Sequence, residues 1–240
     1  EKPEVRKAGG VYYTPQYVVE YIVQNTVGKL LEGKTPAEVS SLRIVDPACG
    51  SGSFLIGAYQ YLLEWHKNYY AANPPRSKKN NPLTPDGHLS TAEKKRILLN
   101  NIYGVDIDVN AVEVTKLSLL LKCMEGETQA SISYQLGMFN ERVLPTLDNN
   151  IKSGNSLIGT DFYDTQLYFG EEKKVKPFNW QKAFPEVFAS GGFDAVIGNP
   201  PYDVLEKDRL GSIIPHYALQ SYIQRNSSYS KALGGKLNLF

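Results

Sequence analysis

The sequence predicts an α/β chain folded around a doubly wound, mostly parallel sheet, and three stretches carry that expectation. Leu42-Arg43-Ile44-Val45 is a short apolar run with β-branched residues, the pattern of a buried strand. It leads into Asp46-Pro47-Ala48-Cys49-Gly50-Ser51-Gly52-Ser53, after which Phe54, Leu55, Ala58, Tyr61, Leu62 and Trp65 recur at helical spacing. Ile102-Tyr103-Gly104-Val105-Asp106 repeats the arrangement: a strand closed by an acid, then a helical stretch. Phe193-Asp194-Ala195-Val196-Ile197-Gly198 reads as a third buried strand, stopped by Asn199-Pro200-Pro201-Tyr202. Strands alternating with helices in this way build parallel sheets.

The elements follow in order. Thr14-Pro15 reads as a helix start, a capping hydroxyl followed by proline in the first turn. Val18, Val19, Ile22, Val23, Val27 and Leu30 continue that helix, and Gly33 stops it. Tyr12 and Thr14 read either as packing and capping residues or as a helix N-terminus turned toward a ligand carboxylate. The helix after the Gly-rich turn ends near Tyr69-Tyr70. A polar, proline-rich insertion over about 71–90 follows, longer than connections in compact domains usually are. Ser90-Thr91-Ala92-Glu93 is a capping pattern for a short helix through Ile97 and Leu98. Asp108 or Asn110 caps the helix after the second strand, to which Val112, Val114, Leu117, Leu120 and Leu121 supply the apolar surface. Ser131 to Asn140 is a weak strand candidate. Ile151 to Gly159 is a short strand and turn carrying Asn155, read as either a ligand contact or an Asx-turn. Thr160 to Phe188 reads as loops and a short helix packed on the sheet, and Asp203 to Lys236 as polar and poorly periodic.

Composition bounds the function. The 240 residues with a 42% hydrophobic share fit one α/β domain, or one with an appendage. No apolar run is long enough to span a membrane, and the first residues are charged. A net charge of +1 lacks the basic excess of a DNA-reading domain. Two cysteines, Cys49 and Cys123, make no disulfide framework and fit a reducing compartment. No Cys/His cluster has metal spacing. The chain begins without Met and ends on Leu237-Asn238-Leu239-Phe240, the look of a strand beginning, so a longer polypeptide is expected.

The Gly-rich turn sets the ligand class. A dinucleotide fingerprint needs G-x-G-x-x-G/A, and Gly50-Ser51-Gly52 is followed by Ser53-Phe54-Leu55. A phosphate loop would need a following Gly-Lys-Ser/Thr, which is missing. An acid beside the turn suits a cation better than a pyrophosphate. S-adenosylmethionine (SAM) carries a sulfonium and an α-ammonium, which Asp46 attracts. A tight turn without a ligand is the plain alternative. Asp106, closing the second strand, stands where ribose-binding acids stand; its distance from the turn exceeds the usual spacing of roughly 20 residues because of the insertion. Asn199-Pro200-Pro201-Tyr202 offers a rigid pair of acceptors beside an aromatic ring, because Pro201 holds Pro200 extended.

With these pieces the chain resembles adenine-specific DNA N6-methyltransferases of bacterial restriction-modification systems, in particular the methylase part of type IIG enzymes. The resemblance rests on Gly10-Val11-Tyr12-Tyr13-Thr14-Pro15, Asp46 to Leu55, Tyr103-Gly104-Val105-Asp106-Ile107-Asp108, Gly154-Asn155-Ser156-Leu157 and Gly198-Asn199-Pro200-Pro201-Tyr202, in the order of the family's γ arrangement. It implies a Rossmann-like SAM-dependent methyltransferase domain over 1–240. The later motifs, a target-recognition domain and any nuclease would lie outside it. It further implies that Tyr12, Thr14 and Pro15 flank the methionine part of SAM, and that Asp46, Ala48, Gly50 and Gly52 line the turn beneath it. Asp106 would bind ribose, Ile107 would pack on the cofactor adenine, and Asn155 would contact it where many relatives carry Asp. Asn199, Pro200, Pro201 and Tyr202 would hold a base flipped out of double-stranded DNA. A cytoplasmic bacterial enzyme without a membrane partner is expected. Two rivals stand beside it: a methyltransferase for a protein glutamine or RNA, and a non-catalytic DNA-binding scaffold that kept the fold.

Overall fold

In the computed structural model, four parallel strands lie in the order β3-β2-β1-β4. Residues 14–74, 81–127, 144–163, 175–200 and 222 are described. The strands are β1 (Ile44–Asp46), β2 (Ile102–Asp106), β3 (Ile151–Ser153) and β4 (Ala195–Val196). The register pairs Asp46 with Gly104, Asp106 with Ser153 and Ile44 with Ala195. The chain winds outward from β1 through β2 to β3, then returns to the other side of β1 for β4. The strand order therefore reverses between β1 and β4, which is where open α/β sheets bind ligands.

Helices cover both faces. On one lie α1 (Gln16–Val23), α3 (Ser53–Ala72), α4 (Thr91–Asn101) and α5 (Val109–Met124). A one-turn helix, α2 (Pro36–Val39), precedes β1 behind a capping box in which Thr35 and Glu38 satisfy each other's backbone N–H groups. The main core joins Val19, Val23, Leu55, Tyr59, Leu62, Ile97, Leu119 and Cys123 to Ile44, Ile102 and Ile151 of the sheet. Small residues let these helices approach: a Cβ on Gly57 of α3 would lie 2.5 Å from Val19 Cγ1 of α1. The opposite face carries α6 (Trp180–Ala183) and α7 (Pro185–Ala189). Phe184, between them, and Val187 of α7 form a second core with Val105 and Phe178, against Tyr103, Trp180 and Phe193.

Several local expectations are corrected. Pro15, not Thr14, is the N-cap of α1, and no side chain caps it. The helix also does not run on unbroken: a π-turn occupies Gln24–Gly28, with the Thr26 hydroxyl donating to Ile22 O at 2.7 Å, before Lys29–Leu31 resumes. In α5 the buried stripe is Val112, Thr115, Leu119 and Cys123, whereas Val114, Leu117 and Leu121 are exposed. β4 is shorter than the apolar run, and Val196, in an edge strand among the described residues, is 65% exposed rather than buried. The capping of α4 by Ser90 and of α5 by Asp108 is as expected. The strand candidate at 131–140 and the polar stretch at 203–236 lie outside the described residues, apart from Tyr222.

Candidate functional site

The carboxyl ends of β2, β1 and β4 bring Asp106, Asp46 and Asn199 to one edge of the sheet. Asp46 ends β1 and is 2% exposed. Its Oδ1 accepts from the Ala48 N–H at 3.0 Å. Burial pushes its carboxyl up to about 7; the Ala48 hydrogen bond opposes that shift and the neighbouring Asp106 adds to it. The carboxylate lies directly under β4's exit: a Cβ on Gly198 would sit 2.6 Å from Asp46 Oδ1, so only glycine fits there. Asp46 thus touches the backbone that presents Asn199.

The turn after Asp46 satisfies its own amides. Cys49 N donates to Val105 O at 3.0 Å, Gly50 N to Asp106 Oδ2 at 2.7 Å and Gly52 N to Cys49 O at 2.7 Å. With Ala48 N on Asp46, four N–H groups are spent inside the protein. A phosphate cradle needs such groups free, so this turn does not suit a pyrophosphate. Gly52 takes φ +85°, and a Cβ there would meet Thr115 Cγ2 at 2.9 Å. The Thr115 hydroxyl in turn donates to Gly50 O at 2.8 Å. Thr115 is a clamp the sequence did not reveal, since nothing near it in the chain marks it. Cys49 is buried, and burial together with Asp46 and Asp106 raises its thiol far above the usual range, so it is no nucleophile.

Asp106 bridges the turn to the next helix, accepting from Gly50 N through Oδ2 and from Asp108 N through Oδ1 at 2.9 Å. A carboxylate has about four lone-pair sites, which leaves acceptors for hydroxyls. Ile107 beside it is 44% exposed, a large apolar surface at the cleft. Asn155 closes the other side. Its side chain makes the Asx-turn, accepting from Leu157 N at 3.1 Å, and its backbone N–H donates to Lys176 O at 2.7 Å. Thr14, freed from capping, accepts from Asn199 Nδ2 at 3.3 Å. That contact turns the Asn199 amide group toward Thr14 and leaves its oxygen for another donor. Tyr12, Pro201 and Tyr202 lie outside the described residues. A separate cavity of about 620 Å³, lined by Val45, Pro47, Trp180, Phe193 and Val196 among others, opens on the opposite face and does not include Asp106, Asn155 or Asn199. Among the described residues no group of His, Cys, Asp and Glu could hold a metal ion, and no helix is long and apolar enough to cross a membrane.

This winding, with acids closing β1 and β2 around a Gly-rich turn, is the SAM-dependent methyltransferase fold. The model of the Eco57I restriction-modification methylase family matches residues 100–239, more than half of the chain, and the chain belongs to that family. It is 35% identical over 196 residues to the type II restriction enzyme and methyltransferase RM.Eco57I of Escherichia coli, covering 82% of this chain and 18% of that protein. It is 27% identical over 212 residues to the adenine-specific methyltransferase PglX of Streptomyces coelicolor, covering 87% of this chain and 16% of that one. The chain thus spans less than a fifth of the length of these relatives. In fold it matches a nuclease-deletion mutant of the type ISP restriction-modification enzyme LlaGI, solved in complex with a DNA substrate mimic, with a TM-score of 0.50 at 18% identity over 91% of this chain and 15% of that one.

Proposed function

We propose that the chain is the SAM-binding part of a DNA adenine N6-methyltransferase of a restriction-modification system. The observation that carries this reading is the junction of Asp46, Asp106 and Asn199 around a turn whose amides are already spent. Such a site favours a nucleoside that bears cations and lacks phosphate. When bound, SAM supplies an electrophilic methyl group on a sulfonium. Asp46, ionised above about pH 7, attracts the cationic methionine end, Asp106 accepts from the ribose hydroxyls, and Ile107 and Asn155 border the adenine. Thr14, just ahead of the N-cap Pro15 of α1, stands beside Asn199.

For transfer to an adenine, the free oxygen of Asn199 and the Pro200 carbonyl would accept hydrogen bonds from the two N6 hydrogens, drawing the nitrogen lone pair out of ring conjugation and toward the methyl. As the N–C bond formed, the methyl–sulfur bond would break with a neutral thioether as leaving group, and N6 would give up one of its two protons to solvent. Tyr202, two residues after Pro200, is the stacking ring by resemblance. No strongly shifted base is needed; positioning and fixed dipoles supply the acceleration. A flipped base requires double-stranded DNA, and target recognition, with any nuclease, belongs to further domains of a longer polypeptide.

The test is a calorimetric titration with SAM of the wild type beside Asp46→Ala and Asp106→Ala, followed by methyl transfer to DNA, RNA and protein substrates. Micromolar binding lost in both variants and methyl transfer to DNA adenine alone is the expected result. A folded protein that binds no SAM would sink the proposal.

A further inference from the structure

We infer that Lys176 is a positioning residue for the adenosine half of the cofactor, an inference that rests on the SAM reading above. Lys176 is the one non-glycine residue with positive φ among the described residues, at +48°. A left-handed lysine is costly, and such backbones persist where their surroundings over-determine them, often at ligand sites. Glycine or asparagine would adopt this conformation more readily, so what glycine lacks, the side chain, is the feature to explain.

The side chain crosses the cleft's rim. Lys176 Nζ donates to the Ile107 carbonyl at 2.7 Å, 69 residues away in the chain. Ser153 Oγ donates to the same carbonyl at 3.5 Å. The Lys176 carbonyl, meanwhile, accepts the Asn155 N–H at 2.7 Å. One residue therefore ties together the two loops that border the proposed adenine site, by its ammonium on one side and its backbone on the other. The segment carrying it is fixed independently: Asn155 bridges to Pro177, Phe178 N donates to Ile158 O at 2.7 Å, and Trp180 Nε1 donates to Ser156 O at 3.0 Å. The Phe178 ring also fills the space over Gly154, where a Cβ would lie 2.3 Å from its Cδ2. With its backbone so held, Lys176 has its ammonium placed in advance, and through it the Ile107 peptide and the exposed Ile107 side chain.

The experiment compares Lys176→Met, which removes the ammonium and keeps the strain, Lys176→Gly, which removes both, and Lys176→Arg, which keeps a donor on a long stem. Binding of SAM and of adenosine alone is measured beside melting temperature. The expected result is a loss of about tenfold in affinity for both ligands in the Met and Gly variants, because the Ile107 peptide then has to be ordered on binding. Arg should stay within a few-fold of wild type. Lys176→Gly should melt no lower than wild type, because glycine relieves the φ strain, so affinity and stability separate. Wild-type affinity in both the Met and Gly variants, or a loss of affinity matched by a fall in melting temperature in both, would overturn the role of Lys176 alone. A wild type that binds no SAM would overturn the cofactor reading and this inference with it.

Discussion

At the scale of single residues, Asp46 sets the pH behaviour of the site. Its carboxyl is raised from 3.8 to about 7, chiefly by burial. Between these values the folded protein holds a proton that the unfolded chain has released. The free protein therefore loses stability as pH rises through that window, fully so above 7. A cationic ligand reverses the preference by favouring the carboxylate. SAM should bind roughly tenfold more weakly at pH 6 than at pH 7.5, with proton release on binding. Calorimetry in buffers of different ionisation enthalpy measures both, and Asp46→Asn should bind weakly with no such pH dependence. Gly52 is the second sensitive residue. Gly52→Ala combines a left-handed φ with a clash against Thr115, and should cost about 1–3 kcal/mol in urea unfolding.

At the scale of elements, buried asparagines join helices to strands. Asn101, at the end of α4, donates to Val39 O at 2.7 Å and Leu42 O at 2.8 Å on the way into β1. Asn150, just before β3, donates to Leu99 O at 2.8 Å and Ile102 O at 2.9 Å at the entry to β2. Replacing either by alanine removes two buried side-chain hydrogen bonds and should cost about 2–3 kcal/mol, read as a lower urea midpoint at unchanged slope. These ties were illegible in the sequence because their partners are distant or belong to other elements. The strand-turn-helix units were legible, since their signals are local: apolar run, glycine, helical period. α5 is apolar on two sides, with Val114, Leu117 and Leu121 on one and Val112, Leu119 and Cys123 on the other, so the helical period offers two stripes and only packing against β2 and β3 chooses between them. At the site, Asp46, Asp106 and Asn199 could be singled out because each closes an apolar run. Thr115 and Lys176 could not, since a threonine within a helix and a lysine in a polar loop carry no local mark. For Thr14 the sequence leaves capping and ligand contact both open, and the residue that its hydroxyl does meet, Asn199, is 185 positions away.

At the scale of the whole molecule, the site is a seam between elements from both ends of the chain, so ligand binding should stabilise the fold as a unit. SAM at about one hundred times its Kd should add roughly 2.7 kcal/mol. For a chain of this size that corresponds to a rise of about 5–10 °C in Tm. NAD and ATP at equal concentration should give no rise, because the turn's amides are engaged by Asp46, Val105, Asp106 and Cys49. Differential scanning fluorimetry with the three ligands in parallel reads this directly.

The winding order also governs how the protein is made. β1 is interior in the finished sheet, yet its second neighbour is among the last described elements to leave the ribosome. At typical elongation rates of about 5–20 residues per second, the edge of β1 that β4 later covers stays open for on the order of ten seconds. During that interval the nascent chain carries an unpaired strand edge, the kind of template that recruits other chains. Asn199 cannot reach Thr14, nor Gly198 settle over Asp46, until it ends. A translating cell therefore holds this polypeptide for some time without the second neighbour of β1 and without a finished cleft.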